Sequence, residues 1–162
     1  MKFFNYLVIA VVIGVVIFGF TMIGTPGHAR KLRFDEARIS NLQSIQSEVI
    51  YYWQKTQKFP ETLSILNDIS RYGGIYSYSV PVDPQTGKEY VYKINSPEEF
   101  MLCATFDLSS EDPWATDRTV PKNGYEYESW DHEAGSQCFT RRINKDLYKP
   151  LTTPEVIPSG KD

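Results

Sequence analysis

From Phe3 to Ile23 the sequence FFNYLVIAVVIGVVIFGFTMI carries no charge and, apart from Asn5 and Thr21, no markedly polar side chain. No other feature limits the chain as strongly. A helix apolar on every face needs lipid or a large protein around it. The rest of this 162-residue chain is too small to enclose one. Crossing a bilayer's hydrocarbon core takes about 20 residues of helix, and the run has that length. The reading is therefore a transmembrane anchor over residues 1–24. A cleaved signal peptide is the alternative, because Gly27-His28-Ala29 offers a small-x-small site, but its apolar region would be shorter, about 7 to 15 residues.

Gly24-Thr25-Pro26-Gly27 interrupts the helix at the membrane edge, so residues 25–29 read as a hinge. Beyond it Ile39, Leu42, Ile45, Val49 and Trp53 recur at three- and four-residue spacing, which predicts one apolar stripe on a helix from about Arg30 to Lys55. Pro60 or Glu61 opens a short second helix carrying Leu63, Leu66 and Ile69. After Gly73-Gly74 the period changes to two. Strands are expected at 75–80, 89–94, 100–108 and 137–143, with Asn95-Ser96-Pro97-Glu98 joining two of them as a hairpin. Residues 109–135 show no period and form a long acidic, aromatic excursion. The tail, 149–162, has three prolines and reads as disordered. The fold class is α+β: an N-terminal transmembrane helix, then a long amphipathic helix packed on a small antiparallel sheet over residues 30–148.

The Gly87-Lys88 pair inside VPVDPQTGKEYVYKI invites comparison with a phosphate-binding loop. That loop needs Gly five positions before Gly87 and Ser or Thr after the lysine, where this chain has Val82 and Glu89. A turn fits better, started by Asp83-Pro84 and using the freedom of Gly87 to take positive φ. No cofactor is implied. The formal net charge is −3 and no long basic run occurs, so a nucleic-acid partner lacks its usual footprint. The local cluster Arg30, Lys31, Arg33 and Arg38 follows the apolar run and points to lipid headgroups.

Taken together, the anchor, the amphipathic helix and the small sheet resemble type IV pilins and type II secretion pseudopilins. Two strings carry the likeness: ISNLQSIQSEVIYYWQKTQKFPETLSILND resembles their helix-to-Pro-x-x-Leu passage, and VPVDPQTGKEYVYKI resembles their Asp-Pro hairpin. The resemblance implies a membrane-bound, non-enzymatic subunit that acts by self-assembly or by binding a protein partner. The prepilin signature of a charged leader followed by Phe-Thr-Leu-Ile-Glu differs here. Gly19-Phe20-Thr21-Met22-Ile23 lies at the far end of the apolar run, and Gly24 stands where the glutamate would be. LQSIQSEVIYYW, VPVDPQTGKEYVY and FMLCATFDL also resemble an uncharacterised family of single-span bacterial membrane proteins, which implies no known activity; an anchored sensor or accessory domain that never polymerises is a further reading of the same features.

Cys103 and Cys138 fall in two segments that read as strands, so one disulfide in an oxidising compartment is expected. Two buried reduced cysteines are the alternative. The disulfide favours a body outside the cytoplasmic membrane, whereas the cations at 30–33 outnumber those before the span and favour the cytoplasm. The order His132, Cys138, Arg141 resembles sortases, without their Thr-Leu-x-Thr-Cys motif, and gives a tethered cysteine enzyme as the rival function. The tyrosine pairs Tyr76/Tyr78, Tyr90/Tyr92 and Tyr125/Tyr127 are spaced two apart and, with Trp130, are candidates for a binding face. Asp107, Glu111, Asp112 and Asp117 are weak candidates for calcium and lack the EF-hand spacing. No zinc spacing is present.

Overall fold

The computed structural model describes residues 2–23, 25–68, 70–71, 76–113 and 129–151. Helix α1 runs Lys2–Ile23 and α2 runs Pro26–Thr56. A 3-10 helix, Leu63–Asp68, follows, and then strands β1 (Ser70–Arg71), β2 (Tyr76–Ser77), β3 (Val91–Ser96), β4 (Glu99–Phe106) and β5 (Gly135–Arg142). The architecture is α+β, with β3, β4 and β5 in one antiparallel sheet of that order and β1 and β2 in a separate small pair.

The break between the helices has a local cause. Thr25 is extended (φ −78°, ψ 149°), and its hydroxyl accepts a hydrogen bond from the His28 amide at 3.3 Å. Pro26 then takes the first helical position, where its missing N–H is no loss. The body helix therefore begins within the stretch read as a hinge. It ends at Gln57, which turns left-handed (φ 56°) as its amide bonds the Trp53 carbonyl at 2.7 Å.

The predicted stripe faces the sheet. Leu42, Ile45 and Val49 are fully buried, with Ile39 and Trp53 beside them. They meet Phe100, Leu102, Ala104 and Phe106 from β4 and Phe139 from β5, the alternate residues that a strand points to one side. Leu63 and Leu66 close one end of this core. Leu102 pairs with Phe139, and Phe100 with Arg141, across the β4–β5 ladder.

Several boundaries shift. Of the strand expected at 75–80, the described residues keep Tyr76–Ser77, which pair with β1, while 78–80 lie outside it. The second helix is 3-10 rather than α. The β3–β4 hairpin forms as expected. The centre of the excursion and most of the tail lie outside the described residues, as does Ile69.

The expected transmembrane helix is met only as a helix. Among the described residues no helix is long and apolar enough to cross a membrane. The side chains of α1 are described from Phe3 to Gly19. Within that stretch every large hydrophobic side chain is exposed, from 43% at Val8 to 86% at Phe3.

Candidate functional site

The densest polar chemistry sits where α2 crosses the Asp83 turn and the end of β4. Arg38 lies on the body face of α2, one position before Ile39, and is only 3% exposed. Its Nε donates to Asp83 Oδ2 at 2.7 Å, and Nη1 donates to Asp35 Oδ1 at 2.7 Å and to Asp107 Oδ2 at 2.9 Å. Nη2 donates to Gln85 Oε1. A guanidinium is a planar fork of five donors and suits such a cage.

Each carboxylate has a second task. Asp35 accepts the amides of Asp107 (3.0 Å) and Leu108 (2.9 Å), which ties the end of β4 to the helix. Asp83 Oδ1 accepts from the Gln85 and Thr86 amides and from the Thr86 hydroxyl. Asp83 and Gly87 then close the turn through a 2.8 Å backbone bond, with Gly87 at φ +69°. The Gly-Lys pair is thus part of a structural turn whose first residue holds Arg38. Burial alone would raise the Asp83 carboxyl. The Arg38 and Thr86 hydrogen bonds outweigh burial and hold it below the usual carboxylate range. Burial would likewise lower the Arg38 guanidinium, and its carboxylate partners raise it instead.

Arg38 therefore does not belong with the exposed cations it follows in sequence. It falls on the apolar stripe three residues after Asp35, so the helix carries it into the body while Arg30, Lys31 and Arg33 remain exposed. That spacing on a buried face was the available signal.

The disulfide is present. Cys103 and Cys138 are register partners on β4 and β5, with their sulfurs 2.10 Å apart. Both cysteines of the chain are consumed in it. His132 packs on the end of β4. Its ring stacks on Phe106 with centroids 3.7 Å apart, and its Nδ1 lies 3.4 Å from the Glu133 carbonyl. Burial lowers its pKa. Arg141 lies over the Trp130 ring at 4.0 Å and donates from Nε to Gln46 Oε1 at 2.8 Å and from Nη2 to the Ser129 carbonyl at 3.0 Å. Trp130 is itself buried, against Phe139.

The described candidate tyrosines, Tyr78, Tyr90 and Tyr92, do not gather on one open face. Tyr90 is buried just before β3, and its hydroxyl accepts from Asn41 at 2.9 Å. Tyr92 packs against Phe100, and its hydroxyl is buried without a hydrogen-bond partner. Burial raises the pKa of both phenols. Tyr78 packs partly buried on the core and accepts from Ser44 at 3.3 Å. The Tyr76 side chain, Tyr125, Tyr127 and Asp117 lie outside the described residues. Of the calcium candidates, Asp107 holds Arg38, Asp112 meets His28 Nε2 at 3.0 Å, and Glu111 is exposed. Among the described residues no three His, Cys, Asp or Glu side chains are placed to hold a metal.

One groove of about 920 Å³ lies between α2 and β5, lined by Gln46, Ile50, Phe100, Arg141 and Tyr148 among others. Two of its cations are paired within the groove, Arg142 with Glu99 at 3.2 Å and Lys145 with Glu98. Compared with protein-family models, with curated proteins and with solved structures, the chain finds no match in any of the three.

Proposed function

We propose that this chain is a membrane-anchored, non-enzymatic domain of pilin or pseudopilin type, displayed outside the cytoplasmic membrane and acting in cell-surface assembly or binding. The observation that carries the reading is the exposure of α1. Its described hydrophobic side chains, Phe3 through Phe18, cover all sides of the helix and stay open, while the body closes a core of its own from α2 and the sheet. Water is a poor solvent for such a helix, and burial of each large side chain is worth about 1.5 to 3 kcal/mol. A bilayer supplies that burial, and the uncharged sequence continues to Ile23.

The non-enzymatic part rests on what the reactive groups are doing. The thiol that a sortase-like mechanism needs is in a disulfide, and the buried guanidinium at Arg38 is held by carboxylates of its own chain. The disulfide also supports an oxidising compartment for the body.

The test is extraction of native membranes at alkaline pH, followed by cross-linking of the intact membranes. Retention in the pellet with a ladder of self-linked species is the expected result. Release into the supernatant would refute anchoring, and cross-links confined to a monomer would refute assembly.

A further inference from the structure

With Arg38 removed from the basic cluster, the three cations that remain share a distinct setting. Arg30, Lys31 and Arg33 are exposed within one turn of α2. The ion pairs among the described residues use His28, Arg38, Arg142 and Lys145, and none uses these three. Asp35 pairs with Arg38 and Asp112 with His28, while Glu36 follows Arg33 by three residues on the same helix. The first turn of α2 contains no acidic residue.

Their position matters as much as their freedom. Arg30 to Arg33 follow Ile23, the end of the apolar run, by only seven to ten residues. Long basic side chains lay their stems along apolar surface and keep their heads in the polar layer. The base of α2 is also fastened to the body below by the His28–Asp112 contact and the Arg38 cage. The cations are thus held at a fixed place on the body, just beyond the end of the apolar run.

We infer that Arg30, Lys31 and Arg33 form a collar that binds the anionic phosphate headgroups of the bilayer around α1. The inference rests on the anchored reading above. Each cation near an anionic surface contributes about five-fold in local affinity, so three together reach on the order of a hundred-fold. The attraction fades beyond a Debye length, about 8 Å at physiological salt.

The test uses the full chain reconstituted in vesicles of mixed phosphatidylcholine and phosphatidylglycerol. Lipids that stay with the protein through mild detergent are counted for the wild type and for the triple variant Arg30→Gln, Lys31→Gln, Arg33→Gln. Glutamine keeps helix propensity, and an intact disulfide with unchanged circular dichroism confirms that the variant folds.

The expected result is several-fold enrichment of phosphatidylglycerol on the wild type and the bulk lipid ratio on the variant. Equal enrichment on both, or on neither, overturns the collar, while the presence of both proteins in the vesicle fraction leaves the anchor standing. Failure of the wild type to enter vesicles at all refutes the anchor and the collar with it. Inorganic phosphate separates a lipid surface from a free-anion site. Loss of enrichment in phosphate but not in chloride of the same ionic strength would place a soluble anion at these residues and overturn the lipid assignment.

Discussion

The two helices of this chain solve the same problem in opposite ways. In α2 the apolar residues fall on one side, and Leu42, Ile45 and Val49 vanish beneath the sheet. In α1 they fall on every side, and Val8, Ile9, Val12 and Ile13 all remain open. Both helices satisfy their own backbone, so hydrogen bonding does not separate them. The difference lies in what covers the side chains. α2 finds its cover within the chain, and on the anchored reading proposed above α1 finds it in a bilayer. If so, changes in α2 move stability and leave location alone, and changes in α1 do the reverse.

The largest expected effect is at Arg38. Arg38→Met fits the space but leaves Asp35, Asp83 and Asp107 facing one another around a site without a cation. Breaking a buried ion cluster in this way costs about 3 to 5 kcal/mol. Chemical denaturation of the full chain in detergent should show that loss, and the variant should still be found in the membrane pellet. A change under 1 kcal/mol would mean the cage is dispensable. Leu42→Ala should cost about 2 to 5 kcal/mol in the same assay, because Leu42 is fully buried at the centre of the stripe.

The complementary change belongs in the middle of α1. Val12→Arg places a charge at the helix centre, where insertion is disfavoured by about 2.5 to 3.5 kcal/mol. The released fraction on alkaline extraction should rise, with the unfolding midpoint of the body unaltered. A fall in body stability equal to that of Leu42→Ala would erase the contrast between the helices.

Acid sharpens it further. Asp83 has its pKa depressed in the folded state, so its contribution is present above the unfolded carboxylate value of about 3.9 and is lost as pH falls through the folded value. His132 has a depressed pKa as well, so protonation opposes folding progressively as pH drops below the imidazole value of about 6.5. Body stability should therefore decline in two stages between neutral pH and strong acid. Asp83→Asn should flatten the lower stage and leave the upper one. An unchanged acid profile in Asp83→Asn would remove Asp83 from the cage energetics.

The smallest effect expected is at Tyr92. Its hydroxyl is buried without a hydrogen-bond partner, so Tyr92→Phe should be neutral or stabilise the body by about 1 kcal/mol. A loss of stability would show that the hydroxyl has a partner in solution.

Much of this was readable in advance where a period was long. The spacing of Ile39 to Trp53 located the buried face of α2, and alternation located β3, β4 and β5, because both patterns repeat often enough to outweigh local exceptions. The turn at Asp83 was legible from Pro84 and Gly87. What the sequence hid was partnership. Arg38 looks like the exposed cations before it, and only the arrival of Asp83 and Asp107 from distant positions makes it a structural centre. Tyr90 and Trp130 looked like a surface for ligands, since an aromatic residue in a short strand or a loop reads the same whether it faces water or a small core. Strand β2 stops at Ser77, short of its expected end, because Tyr78-Ser79-Val80 leaves the ladder, with the Val80 amide bonding Asn67 Oδ1 at 2.7 Å instead.

The disulfide is the point on which function and location meet. It joins strands already paired, closes a separation of 35 residues, and by loop-closure entropy contributes about 3 to 4 kcal/mol. The most direct measurement is thiol labelling of Cys103 and Cys138 in membranes from the native cell, with and without reductant. The account predicts labelling of both only after reduction, as expected of an anchored body on the oxidising side without a thiol nucleophile. Free labelling of both without reductant would contradict it, return Cys138 as a candidate nucleophile, and place the body on the reducing side.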